Sequence, residues 1–266
     1  MIPIRDDNPH FLTPWTTWTI IGLNAVAWVL LQGLGFEPGL SSSVCRYGLI
    51  PGDLLGTLDR GSMVGVGQGL VCQLGPQPAW HTLITSMFMH GGWLHLLGNM
   101  WFLWIFGNNV EDAMGHTRFA IFYVLCGLAA AGLQLVFTSN PAIPMVGASG
   151  AIGGVMGAYI LLYPRVQVHL LLILGFLVTT IAVPAVWMLG YWFALQLLGG
   201  FTSLGSRGGG VAFWAHIGGF AAGAALIYAF RNPELLKRHP YHGWKKPSPY
   251  RHWQRVPDRD KDWFEP

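Results

Sequence analysis

Between residues 119 and 137 the chain reads "FAIFYVLCGLAAAGLQLVF", nineteen residues without a charge. About 20 apolar residues cover the roughly 30 Å of bilayer hydrocarbon, so a run of this kind is long enough to cross it. The run is one of six. Expected spans cover residues 15–34, 92–110, 117–137, 147–162, a stretch within 168–198, and 211–230. Hydrophobic residues make up 52% and charged residues 10% of the 266, against the usual quarter charged in soluble domains. The predicted fold class is an all-α integral membrane protein, a bundle of six transmembrane helices. In the long fifth stretch Pro184 is expected to kink the helix.

Lys and Arg favour the cytoplasmic side of short loops. With the N-terminus inside, the inner segments hold twelve cations: Arg5, Arg118, Arg165 and the nine from Arg231 onward. The outer segments hold Arg46, Arg60 and Arg207. Both termini are therefore expected in the cytoplasm, and residues 34–80 form a large outer loop. The expected division is a cytoplasmic N-terminus (1–14), the six-helix domain (15–230) and a basic cytoplasmic tail (231–266). That tail is either solvated or adsorbed on anionic headgroups. Cys45 and Cys72 share the outer loop, which leaves a disulfide between them open. Cys126 sits in an apolar run and reads as core.

Polar side chains inside spans are costly, so each needs a partner or a purpose. The second span carries His95 and Asn99, four residues apart and on one helical face. The fourth carries Ser149, in "GASGAIGG", and the sixth carries His216, in "AFWAHIGGF". At 1.5 Å per residue, His216 lies about 8 Å and Asn99 about 10 Å below the starts of their spans. The fourth span, about 24 Å long, is too short to cross, so Ser149 begins below the outer surface. All four then share one outer layer.

An imidazole that accepts the serine proton makes Ser149 a nucleophile and His216 its general base and later acid. The Ser149 backbone N–H at the helix start, with Asn99 and His95, can donate to a developing oxyanion. No acid lies in that layer, so the pair is a dyad. No His-Glu-x-x-His pair or pair of intramembrane aspartates is present, and no zinc spacing joins His81, His90 and His95. The rival uses of such a layer are a permeation path or an inert binder of membrane helices. The glycine pairs at 150 and 154, and at 219 and 223, also fit plain helix packing.

These motifs resemble the rhomboid intramembrane serine proteases: "GASG" at 147–150, "HLLGN" at 95–99, "AHIGGFAAG" at 215–223, and "GNNVEDAMG" at 107–115 with Glu111 as its central acid. The resemblance implies Ser149 as nucleophile, His216 as base, and an oxyanion site of His95, Asn99 and the Ser149 N–H. It implies membrane-anchored protein substrates cut near the outer end of a transmembrane segment. The implied partners are such substrates and the lipid bilayer; no metal, organic cofactor or nucleic acid is implied. The compact six-span form is most similar to bacterial inner-membrane members, and "GGFTSLGSRGGG" is similar to a loop that caps the site. Two positions depart from the family pattern. Gly153 stands where some members place an aromatic ring under the histidine, so another group must hold the imidazole. Trp80-His81 stands where a Trp-Arg pair is common.

Overall fold

The computed structural model describes residues 2–67, 70–175, 177–204, 211–239 and 241. Strand β1 (Ile2–Asp6) leads to helix α1 (Trp15–Leu30). Residues 31–92 hold α2 (Gly39–Tyr47), α3 (Pro51–Leu55), the hairpin of β2 (Met63–Gly67) and β3 (Leu70–Gln73), and the one-turn α4 (Thr82–Thr85). The helices α5 (Trp93–Met114), α6 (His116–Phe137) and α7 (Ser149–Leu162) follow. Next come β4 (Gln167–Leu174), β5 (Leu177–Pro184), α8 (Ala185–Ser203), α9 (Phe213–Phe230) and α10 (Pro233–Arg238). Helices α6, α8 and α9 are long and apolar enough to cross a membrane, and α1 and α7 are shorter apolar helices.

The fifth stretch differs from its expectation. Residues 167–184 form an antiparallel hairpin, and helix α8 starts only at Ala185. Pro184 precedes the helix instead of kinking it, because a proline lacks the N–H that a helix interior needs and is tolerated at a helix entrance. The β-branched run "VTTIAV" is suited to a strand. Strand β1 pairs antiparallel with β4 and completes a three-stranded sheet. His169, expected near the start of the fifth span, lies in β4 and its Nε2 meets Asp7 Oδ1 at 2.9 Å.

Sheet, N-terminus and α10 gather at one end. Tyr241 Oη donates to the Asp7 carbonyl at 3.2 Å, and His239 Nε2 lies 3.1 Å from the Pro9 carbonyl. The rest of the basic tail lies outside the described residues. Helix α1 begins after Pro14, which offers no side-chain cap. Its free N–H groups are met from α5: Glu111 accepts from the N–H of Thr16 at 2.9 Å and of Thr17 at 2.8 Å, and from Thr17 Oγ1 at 2.7 Å. A buried carboxylate thus faces the positive end of a helix. Asp112 accepts from the Phe11 and Leu12 N–H groups at 3.1 and 2.7 Å.

Asp6 is the sensitive part of this end. Its Oδ2 accepts from Tyr159 Oη at 2.5 Å, and burial raises its pKa from 3.8 to about 6, against the lowering effect of that bond. A carboxyl raised on folding contributes stability at low pH, and that contribution is lost as pH rises through about 6. The melting temperature of Asp6→Asn, which carries no charge, should rise relative to the parent's as pH is raised from about 4 to about 6 and level off above that. A melting difference that is constant across that range would contradict it.

The core lies among α5, α6, α7 and α9, with Phe106, Phe119, Phe122, Val155 and Met156 fully buried or nearly so. Helices α7 and α9 approach most closely. A Cβ on Gly219 would overlap the Gly150 carbonyl, and one on Gly223 would overlap the Gly154 carbonyl. Between the first and second of the expected spans Cys45 is disulfide-bonded to Cys72. This ties α2 to β3 over a small cluster of Ile50, Val66 and Leu74. His81 Nε2 lies 3.3 Å from the Arg46 carbonyl, so this histidine touches the end of α2.

Candidate active site

Ser149 is the first residue of α7 and His216 lies in the first turn of α9. The glycine contacts between those helices bring Ser149 Oγ to 2.7 Å from His216 Nε2. That is hydrogen-bond distance for a hydroxyl donating to a bare imidazole nitrogen. Ser149 is partly exposed and opens on a cavity of about 860 Å³, lined also by His95, Asn99, Trp192 and His216.

The donors on the other wall come from α5. Asn99 is buried and its Nδ2 has no hydrogen-bond partner among the described residues. His95 Nδ1 accepts from the Gly91 N–H at 3.3 Å, so in the neutral ring Nε2 carries the proton. Both groups converge on Gly147, which has φ +124°. A Cβ there would lie 2.7 Å from His95 Nε2 and 3.6 Å from Asn99 Nδ2. Glycine is needed for both the backbone angle and the room. Ser149, as the first helical residue, has a backbone N–H without an intrahelical acceptor. The four residues singled out from the sequence are therefore together, with three donors and one hydroxyl around one space.

The match to the family model called Rhomboid domain covers residues 77–233, more than half of the chain. The chain belongs to the rhomboid family. This rhomboid is an integral membrane protein, in keeping with its helices of spanning length and composition. It is similar to Rhomboid protease GluP of Bacillus subtilis, 34% identical over 150 residues, which are 56% of this chain and 27% of the relative. RHOMBOID-like protein 5 of Arabidopsis thaliana is 28% identical over 171 residues, 57% of this chain and 53% of the relative. Rhomboid-like protein 11, chloroplastic, of the same plant is 36% identical over 84 residues, 32% of this chain and 30% of the relative. The chain thus spans about half or less of the length of these relatives.

Two amides in the rhomboid's apolar helices escaped the sequence reading. Gln196 on α8 points Oε1 at His216 Nδ1, 2.8 Å away. Gln134 on α6 accepts from the Ala215 N–H at 3.1 Å and so holds the first turn of α9. The signal for both was present, since an amide within an apolar span needs a partner as much as a histidine does. Trp192 on α8 lies beside the His216 ring at 5.8 Å between centroids. The imidazole left without an aromatic at Gly153 is thus flanked from α8. Part of the expected capping loop, residues 205–210, lies outside the described residues.

Proposed function

We propose that the chain is an intramembrane serine endopeptidase of six spans, α1 and α5 to α9, that cuts membrane-anchored proteins near the outer end of a transmembrane segment. The observation that carries this reading is the 2.7 Å contact of Ser149 Oγ with His216 Nε2 at the wall of an open cavity. The names of two relatives, Rhomboid protease GluP and Rhomboid-like protease 5 of Toxoplasma gondii, support protease activity.

In this mechanism the Ser149 proton passes to His216 Nε2 as Oγ bonds to the substrate carbonyl carbon. The carbonyl oxygen takes up the electron pair and becomes an oxyanion. The Ser149 N–H, Asn99 Nδ2 and His95 Nε2 donate to it. When the oxyanion collapses, the C–N bond breaks and His216 returns the proton to the leaving amine. Water, deprotonated by His216, then attacks the acyl-enzyme, and the Ser149 oxygen leaves with that proton. The expected setting is a bacterial inner membrane with both termini in the cytoplasm.

A fluorophosphonate should label the detergent-purified protein and fail to label Ser149→Ala or His216→Ala. Labelling that survives Ser149→Ala would overturn the mechanism. Asn99→Ala should slow cleavage of a single-span model substrate by up to about 10²-fold in kcat, the cost of one oxyanion donor. An unchanged kcat would remove Asn99 from the site.

A further inference from the structure

A serine-histidine pair has a weakness that a third residue usually removes. A neutral imidazole carries one proton on either nitrogen, and only the form protonated on Nδ1 leaves Nε2 free to accept from the serine. Nothing in the dyad itself selects that form. Among the described residues no carboxylate hydrogen-bonds His216, and Gly153 offers no ring beneath it.

Gln196 supplies the selection through a directed chain of hydrogen bonds. Its Nε2 donates to the Trp192 carbonyl one turn earlier in α8, at 3.3 Å. Its Oε1 lies 2.8 Å from His216 Nδ1. Turning the amide over would set its oxygen against the Trp192 carbonyl oxygen, two acceptors facing each other. It would also aim the NH₂ at the imidazole. The helix carbonyl therefore fixes which way the amide faces. With Oε1 toward the ring, Nδ1 must be the donor and Nε2 the acceptor. The buried Gln196 side chain is shielded from water that would otherwise compete for Nδ1.

We propose that Gln196 is the positioning residue that holds His216 in the Nδ1–H form, so that Nε2 faces Ser149 as a ready base. It does so with a neutral amide in place of the carboxylate of a Ser-His-Asp triad. The burial of the site gives a reason for that choice. A carboxylate on α8 would bring a formal charge into an apolar span at high cost, whereas an amide fixes the same tautomer without one. The proposal rests on Ser149 and His216 being nucleophile and base, and it adds the element that orients the base.

The test uses two near-isosteres in the full-length protein. Gln196→Met keeps the length and apolar packing of the side chain but loses the strong acceptor. Gln196→Glu, held protonated by its apolar surroundings, keeps a C=O acceptor for Nδ1–H and an O–H donor for the Trp192 carbonyl. The rate of fluorophosphonate labelling should fall about 10-fold in Gln196→Met and return to within about 3-fold of the parent in Gln196→Glu. Imidazole ¹⁵N NMR, with the His216 signals assigned by their loss in His216→Ala, should find the parent protonated on Nδ1 and Gln196→Met shifted toward Nε2–H. A packing role alone would leave that signature in place in Gln196→Met. A parent spectrum with the proton on Nε2, or a Gln196→Met variant with parental rate and parental signature, would overturn the proposal. Failure of the parent to label, or labelling that persists in Ser149→Ala, would instead overturn the Ser149-His216 reading beneath it.

Discussion

Ser149→Ala is expected to lower kcat for a single-span model substrate by about 10⁴- to 10⁶-fold, and His216→Ala to cost a similar amount. The two are expected to be equal because they act on one event. Without the imidazole, the hydroxyl 2.7 Å from Nε2 has no base and stays a poor nucleophile. Without the hydroxyl, the imidazole has nothing to activate but water. The double variant should therefore be no slower than either single one, which separates a coupled pair from two independent contributions. Binding is a different matter: the wall donors and the cavity remain, so substrate capture should survive. A multiplicative loss in the double variant would mean that Ser149 and His216 do not work on the same proton.

The four residues with the most chemical meaning were legible because an apolar background makes polar exceptions visible. Ser149, His216, Asn99 and His95 stand out against spans that otherwise hold little but hydrocarbon and glycine. The expectation that they share a depth came from helical rise, the orientation given by the cation count, and the shortness of the fourth span. The donor arrangement around Gly147 was not legible in the same way, since it depends on a positive φ and on the His95 ring and the Asn99 amide of α5 both meeting one glycine of the segment before α7. Gln196 and Gln134 were readable by the same rule and were passed over. An amide within a span is less costly than an ion and so draws less notice, yet it must also find a partner.

The β4–β5 hairpin was harder to read. A continuous apolar run of about the right length for a helix cannot be told from a buried strand by periodicity. What decides it is the β-branched content of 178–183 and the proline at 184, which together favour a strand that ends where a helix begins. Pairing of β1 with β4 joins residues more than 160 apart, and the Tyr159–Asp6 bond joins residues 153 apart in the same region. No local pattern announces contacts of that separation. In the same region Asp7 meets His169, a partner that only the fold supplies.

The second large effect comes from packing and not from chemistry. Gly219→Ala should lower kcat by about 10²-fold and destabilise the protein by about 3 kcal/mol, although neither Gly219 nor Gly150 takes part in the reaction. The added Cβ would overlap the Gly150 carbonyl, which is backbone and cannot turn aside as a side chain can. Helix α9 must then move away from α7. Because Ser149 and His216 sit on those two helices, one turn or less from the contact, their separation grows with that movement. A nucleophile and base displaced by about 1 Å lose the geometry of proton transfer while the substrate cavity stays largely intact. The same change at an open position, Gly190→Ala on α8, adds a Cβ that meets nothing within 4 Å and should alter neither rate nor melting. If Gly219→Ala melts and cleaves like the parent, the close approach of α7 and α9 is not what sets the Ser149–His216 distance.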